Sequence, residues 1–342
     1  MVLSILADGL LRGTDAVGDA ISSTFFEPSL RIGVTGLARA GKTVFITSLI
    51  ANLIDRNRMP GLVAAREWRI AAAFLQPQPD DTVPRFDYEN HIEALTGHAP
   101  HWPESTRAIS ELRLSIRVQP SGLLAGLQGP RTVHLDIVDY PGEWLLDLGL
   151  LDKSYADWSR EILARLASRH AAKTYLEAAR GVDGTAPLQE PHAVRLAQIY
   201  TEYLLQARQE GWSDCTPGRF LLPGDLAGSP VLTFAPLPDP ETAPRGSLAR
   251  EMNRRFEAYK TQVVKPFFKD HFARIDRQIV LVDVLGALHK GPDAIADMRQ
   301  ALVDTLGAFR PGQNAFLNRL LGGRRVEKLM FAATKSDHIH HP

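Results

Sequence analysis

Residues 36–43 read Gly-Leu-Ala-Arg-Ala-Gly-Lys-Thr: a glycine, four residues, then Gly-Lys-Thr. That spacing is the phosphate-binding P-loop, whose backbone amides and single lysine cradle a polyphosphate. Gly36 and Gly41 permit backbone angles and a close approach that a Cβ would block. Lys42 is expected to reach the β- and γ-phosphates as a point charge, and the Thr43 hydroxyl to ligate Mg²⁺. Ala38, Arg39, Ala40 and Val44 complete the stretch expected to line the nucleotide, with Arg39 shielding it from solvent. Such a loop needs a strand before it and a helix after it. Leu30 to Thr35 reads as a short strand, and Leu49, Ile50, Leu53 and Ile54 recur at helical spacing. A strand turning into a helix aims unpaired N–H groups and the positive end of the helix dipole at one spot.

A second polar motif closes a second apolar run. Arg131 to Val138 is β-branched enough for a buried strand and ends in Asp139-Tyr140-Pro141-Gly142. An aspartate at such a strand tip holds Mg²⁺ through water, and Gly142 can offer its N–H to a γ-phosphate. Asp-x-x-Gly alone is weak, since about one match is expected by chance in a chain this long; its place after a strand gives it weight. The third motif, Thr334-Lys335-Ser336-Asp337, follows the apolar run Leu329 to Ala333. Thr-Lys-x-Asp is similar to the guanine-reading element of GTPases. In it one carboxylate, here Asp337, accepts two hydrogen bonds that adenine cannot offer, and Lys335 packs over the base. The usual first letter is Asn, so Thr334 is a departure. Ligands of open α/β sheets bind at strand C-terminal ends. The three motifs in this order therefore imply an α/β fold: a P-loop NTPase (Ras-like) core with a mainly parallel sheet.

The gaps between the motifs exceed what a strand–helix unit needs, so large helical insertions are expected. The core is assigned to 28–55, 105–150 and 276–342. The segment 56–104, with five prolines between Pro77 and Pro103, reads as irregular chain with short helices. The segment 151–275 reads as a helical domain. Trp158, Ile162, Leu163 and Leu166 form one stripe and Leu196, Ile199, Tyr203 and Leu204 another. A Pro-rich loop is expected over 216–246 and a long helix from Ser247 to Phe272. The charges between Arg250 and Lys260, Arg254 and Arg255 among them, read as a solvated face. Residues 292–309 form an amphipathic helix opening on Pro292.

On these residues the chain resembles the YcjX-like family of bacterial GTPases. The resemblance is carried by Trp102-Pro103-Glu104-Ser105-Thr106, by Asp139 to Leu148, and by the run from Lys265 to Asp283. It implies a cytoplasmic GTP-binding and hydrolysing protein associated with stress responses, with helical insertions around a Ras-like core. Members usually continue past the guanine motif, whereas this chain stops five residues after Asp337. A fragment is expected, without the last strand and helix and the fifth motif.

Switch residues follow from the same logic. A threonine just before the second core strand closes onto Mg²⁺ and the γ-phosphate only in the triphosphate state. Glu111 to Val118 alternates as that strand should, so Thr106 is the candidate and Ser105 the second choice. Arg107 adjoins it and is an arginine-finger candidate; a plain surface arginine is the competing reading. Where many GTPases place a water-orienting Gln, this chain has Glu143. A carboxylate accepts from water but repels the γ-phosphate, so slow hydrolysis is expected.

Lys plus Arg equals Asp plus Glu at 39 each, giving no hint of a nucleic-acid partner. The single cysteine, Cys215, excludes an internal disulfide framework and suits a reducing cytosol. No run reaches the length of a transmembrane span. Residues 1–27 read as an N-terminal helix without a signal peptide's basic leader. The expected partners are guanine nucleotide with Mg²⁺ and a protein effector met through the helical domain. Two other readings stand beside a GTPase switch: an ATP-dependent P-loop enzyme and a non-hydrolysing GTP-binding module.

Overall fold

The computed structural model describes residues 27–36, 40–55, 59, 61–104, 108–120, 129–238, 243–309 and 328–335. Ala38, Arg39, Thr106, Arg107 and Asp337 of the expected site, and residues 1–26 of the expected N-terminal helix, lie outside the described residues.

Strand β1 (Ser29–Gly36) feeds helix α1 (Lys42–Ile54). A turn of helix α2 (Val63–Arg66), strand β2 (Ile70–Gln76), helix α3 (Tyr88–Thr96) and strands β3 (Ser110–Val118) and β4 (Arg131–Asp139) follow. Next come α4 (Gly142–Leu146), α5 (Tyr155–Leu166), α6 (Lys173–Arg180), α7 (Glu190–Glu210) and α8 (Gly218–Leu221). Helices α9 (Leu248–Tyr259) and α10 (Lys265–Asp270) precede strand β5 (Arg277–Val282). Helices α11 (Val284–Lys290) and α12 (Pro292–Phe309) and strand β6 (Lys328–Ala333) end the described chain.

The fold is α/β. Its six strands form one mixed, mostly parallel sheet in the order β2-β3-β4-β1-β5-β6. Strands β5 and β6 run parallel from Arg277↔Lys328 to Val282↔Ala333, while β2 runs antiparallel to β3. The strand β2 was not anticipated in the segment read as irregular with short helices; α2 and α3 are its short helices. Ile70-Ala-Ala-Ala-Phe-Leu-Gln has little intrinsic strand preference, and pairing with β3 makes it a strand.

The chain falls into two compact units. One holds residues 44–103 and 110–138 together with the start of β1. It buries Leu112, Leu114, Leu135 and Ile137, and ties its strands by charge. Arg113 grips Asp136 with two bonds of 2.6 and 2.8 Å, and Arg31 meets the buried Glu111 at 2.8 Å. Burial holds the Glu111 carboxyl above its ordinary range against the opposing pull of Arg31.

The other unit holds 33–43, 104–109 and everything from Asp139 onward. Its helical part is built on aromatic rings: Trp158 stacks on Phe256 at 5.0 Å, and Phe234 and Tyr200 close on Trp158 edge-on. The Pro-rich stretch keeps its irregular backbone because phenols cap its carbonyls. Tyr155 donates to Ala235, Tyr175 to Pro236 and Tyr200 to Thr216. Within it, α8 forms a single helical turn. The expected long helix from Ser247 is interrupted by a π-turn at Lys260–Val264. Pro266 lies just beyond, lacks an N–H and crowds the carbonyl four residues back, so the ladder widens there. Arg255 corrects the reading of a solvated face. It is 5% exposed, and it bonds Glu190, Glu251 and the Thr233 carbonyl.

Candidate functional site

Strand β1 is buried over its last four residues and delivers the Gly-rich loop at the sheet's C-terminal end. The two glycines serve different needs. A Cβ on Gly36 would stand 3.0 Å from the Cβ atoms of Ala40 and Leu281, so Gly36 allows the loop to fold back against β5. Gly41 has open space but a φ of 75°, a left-handed conformation that side chains resist. Helix α1 begins at Lys42, leaving its first N–H groups without helical partners. Ala40 and Thr43 are buried and Val44 half-buried at this helix start.

The neighbouring strand β4 ends on Asp139, whose side chain is 1% exposed. Lys42 Nζ lies 2.6 Å from Asp139 Oδ1. Residues of two sequence motifs thus meet at one point. Their register is fixed by the strand tips: the Tyr140 amide donates to the Val34 carbonyl at 3.4 Å, and Thr35 Oγ1 donates to the Tyr140 carbonyl at 3.3 Å. The buried Tyr140 phenol donates to Gln278 Oε1 at 2.7 Å, and burial keeps it protonated far above the ordinary phenol range. Asp139 is thereby bracketed by fixed backbone.

Gly142 and Glu143 open helix α4 and are both buried. Glu143 pairs with Arg208 of α7, Nη2 to Oε1, at 2.7 Å. Together with Trp212, Cys215, Asp283 and Lys290 they line a cavity of about 60 Å³. The segment is gripped further along. Trp144 Nε1 donates to the Leu222 carbonyl at 3.2 Å, and the Arg219 guanidinium lies 3.3 Å from the centre of the Trp144 ring. Asp147 accepts from the Gly218 amide at 2.8 Å and from the Tyr259 phenol at 2.5 Å. Burial pushes the Asp147 carboxyl up to about 7 despite these bonds.

The third motif begins where β6 ends. The Thr334 amide and hydroxyl both donate to the Val282 carbonyl, at 2.9 and 3.2 Å. Lys335 takes a left-handed φ of 59° and pairs with Asp283 Oδ2 at 2.6 Å, while Asp283 Oδ1 caps α11 at the Gly286 amide. Asp283 follows directly on strand β5 and was not among the expected site residues. Its signal was a carboxylate directly after an apolar strand. Arg208 had no such signal, being one of many basic residues on long helices.

Among the described residues, no three His, Cys, Asp or Glu side chains cluster as a metal cage. The donors at hand are the Asp139 carboxylate and the Thr43 hydroxyl, both hard oxygens and both buried. That set fits Mg²⁺, which binds through one or two protein oxygens and completes its shell from substrate phosphate and water. No described helix is long and apolar enough to cross a membrane.

These features define an α/β protein in which the helix opening on Gly41-Lys42-Thr43 stands beside a strand-tip aspartate. The chain belongs to the YcjX-like family: the model described as "YcjX-like family, DUF463" matches residues 30–342. A relative from Escherichia coli strain K12, named Ras-like GTPase YcjX, is 41% identical over 324 residues, spanning 91% of this chain and 70% of the relative. One of the same name from Shewanella oneidensis strain MR-1 is 40% identical over 334 residues, spanning 91% and 69%.

Proposed function

We propose that this protein binds GTP with Mg²⁺ and hydrolyses it slowly, acting as a nucleotide-dependent switch in the bacterial cytosol. The observation that carries the reading is the Lys42–Asp139 contact at 2.6 Å. A metal–triphosphate needs an ammonium for its phosphate oxygens and a carboxylate for its cation, side by side at a helix N-terminus. Lys42 takes the β- and γ-phosphates, and the amides of 39–43 hold the remaining oxygens. Thr43 and Asp139, with Thr106, are the residues that would hold Mg²⁺, which when bound neutralises charge developing on the phosphates. Gly142 offers its amide to the γ-phosphate.

In the reaction a water oxygen forms a bond to the γ-phosphorus. The bond to the bridging oxygen breaks with its electron pair leaving on GDP, and the water's proton passes to the released phosphate. Glu143 is the acceptor available to orient that water; a carboxylate is repelled by the γ-phosphate more than a glutamine amide would be, and the step is slow to the extent that this repulsion is left uncompensated. Arg107 is the candidate arginine finger, and the variant Arg107→Ala tests it: a lowered kcat supports that role and an unchanged one removes it. Guanine rather than adenine is favoured by Lys335 and Asp337 and by the names of the relatives. The helical domain, residues 151–275, offers the surface for a protein effector. The test is nucleotide competition and phosphate release with the purified chain: GTP displaces a fluorescent GDP analogue where ATP does not, and phosphate release requires Mg²⁺. Equal displacement by ATP overturns the guanine assignment; tight binding with no phosphate release leaves a binding module instead.

A further inference from the structure

Glu143 lies one residue beyond Gly142, and its carboxylate is only 7% exposed. A buried carboxylate is costly to keep charged, and beside a triphosphate it also repels the substrate. The compensating charge comes from the helical insertion, through Arg208 Nη2 at 2.7 Å. The backbone at both ends of this pair is fixed. Arg208 sits in the last turn of α7, whose carbonyl accepts from the amide of the left-handed cap Gly211 at 3.1 Å. On the other side α8 packs directly on the Glu143 peptide: a Cβ on Gly218 would fall 2.0 Å from the Glu143 carbonyl oxygen. The grip on Trp144 by Leu222 and Arg219 holds the next residue as well.

We propose that Arg208 is a positioning residue for GTP hydrolysis. By neutralising and orienting the Glu143 carboxylate, it lets a charged side chain accept a hydrogen bond from the attacking water beside the γ-phosphate. The proposal rests on the GTPase reading above and adds to it a residue from the helical insertion. A guanidinium suits the task because it is charged at every working pH; here it meets the carboxylate through one nitrogen, Nη2 against Oε1. A glutamine at 143 would carry no charge and would need no such partner.

The experiment is a double-mutant cycle in the full chain, with Arg208→Gln and Glu143→Gln alone and together. R208Q is expected to lower kcat about tenfold while GTP KM and the affinity for a fluorescent GDP analogue stay within about twofold of wild type. Adding R208Q to E143Q is expected to cost nothing further. If R208Q lowers the melting temperature but leaves kcat at the wild-type level, the pair is structural and the proposal is overturned. It is overturned equally if R208Q raises kcat, or if it costs as much in the E143Q background as alone. Should R208Q not fold, R208K decides: it keeps the charge and loses the Nη2 contact, so a reduced kcat supports the proposal and an unchanged one overturns it. A wild-type chain that binds no GTP or releases no phosphate defeats the GTPase reading itself, a result distinct from all of these.

Discussion

The Tyr259 phenol donates to the Asp147 carboxylate at 2.5 Å, joining helix α9 to the segment that follows Asp139-Tyr140-Pro141-Gly142. Asp147 is fully buried, and burial pushes its carboxyl up to about 7 against the bonds from Tyr259 and Gly218 and the opposing charge of Arg219. Its ordinary value is 3.8, so between about pH 4 and 7 the folded protein holds a proton that the unfolded chain has released. Asp147 therefore costs stability as pH rises through that window, and the cost is complete above it. Asp147→Asn is expected to be more stable than wild type at pH 8, by up to about 4 kcal/mol, and the advantage to vanish near pH 4. Denaturant unfolding at the two pH values measures it, and an equal difference at both contradicts the assignment. The Glu251 carboxyl, held down to about 2 first by its bond from Arg254, acts in a lower window and with the opposite sign.

Asp297 makes a different kind of joint. It accepts from the buried Arg169 guanidinium and from the amides of Ser213 and Asp214, at 2.5, 2.6 and 3.2 Å. Arg169 is 4% exposed in its side chain and also donates to the Tyr203 phenol. Asp297→Ala leaves that cation buried without its counter-charge and is expected to cost roughly 3–5 kcal/mol. A loss under 1 kcal/mol in urea unfolding would show that water reaches Arg169.

Gly218 is a packing position rather than a flexible one. Its φ is not left-handed, and what excludes a side chain is the Glu143 peptide at 2.0 and 2.4 Å from an added Cβ. Gly218→Ala must push α8 off α4, with an expected loss of about 3 kcal/mol. Gly41→Ala meets open space and carries only backbone strain, about 1 kcal/mol. Thermal melting of the two variants should rank Gly218→Ala well below Gly41→Ala; the reverse order contradicts this packing.

Much of the architecture was legible because it is local. The strands at β1, β4 and β5 are apolar runs closed by polar motifs, and the helix at Pro292–Phe309 announces itself by its period and its first-turn proline. Strand β2 was not legible, since three alanines specify little until β3 pairs with them. Arg255 was misread because its neighbour Arg254 does face outward, and only contacts distant in sequence, with Thr233 and Glu190, mark its burial. In the candidate site, motif spacing alone assigns Lys42, Thr43 and Asp139, and the fold brings Lys42 and Asp139 together at 2.6 Å. Spacing does not assign Arg208 and Asp283, because their pairings with Glu143 and Lys335 span 65 and 52 residues respectively (208 − 143 and 335 − 283) and leave no periodic trace.

The central claim is that Lys42, set against Asp139, is the cation that holds a guanine nucleotide's phosphates. The most direct measurement is titration of wild type and Lys42→Ala with a fluorescent GDP analogue in Mg²⁺, with unfolding curves run alongside. The account predicts tight binding by wild type and a loss of at least about a hundredfold in the variant, with the fold retained. Equal affinity in two equally folded proteins would contradict it.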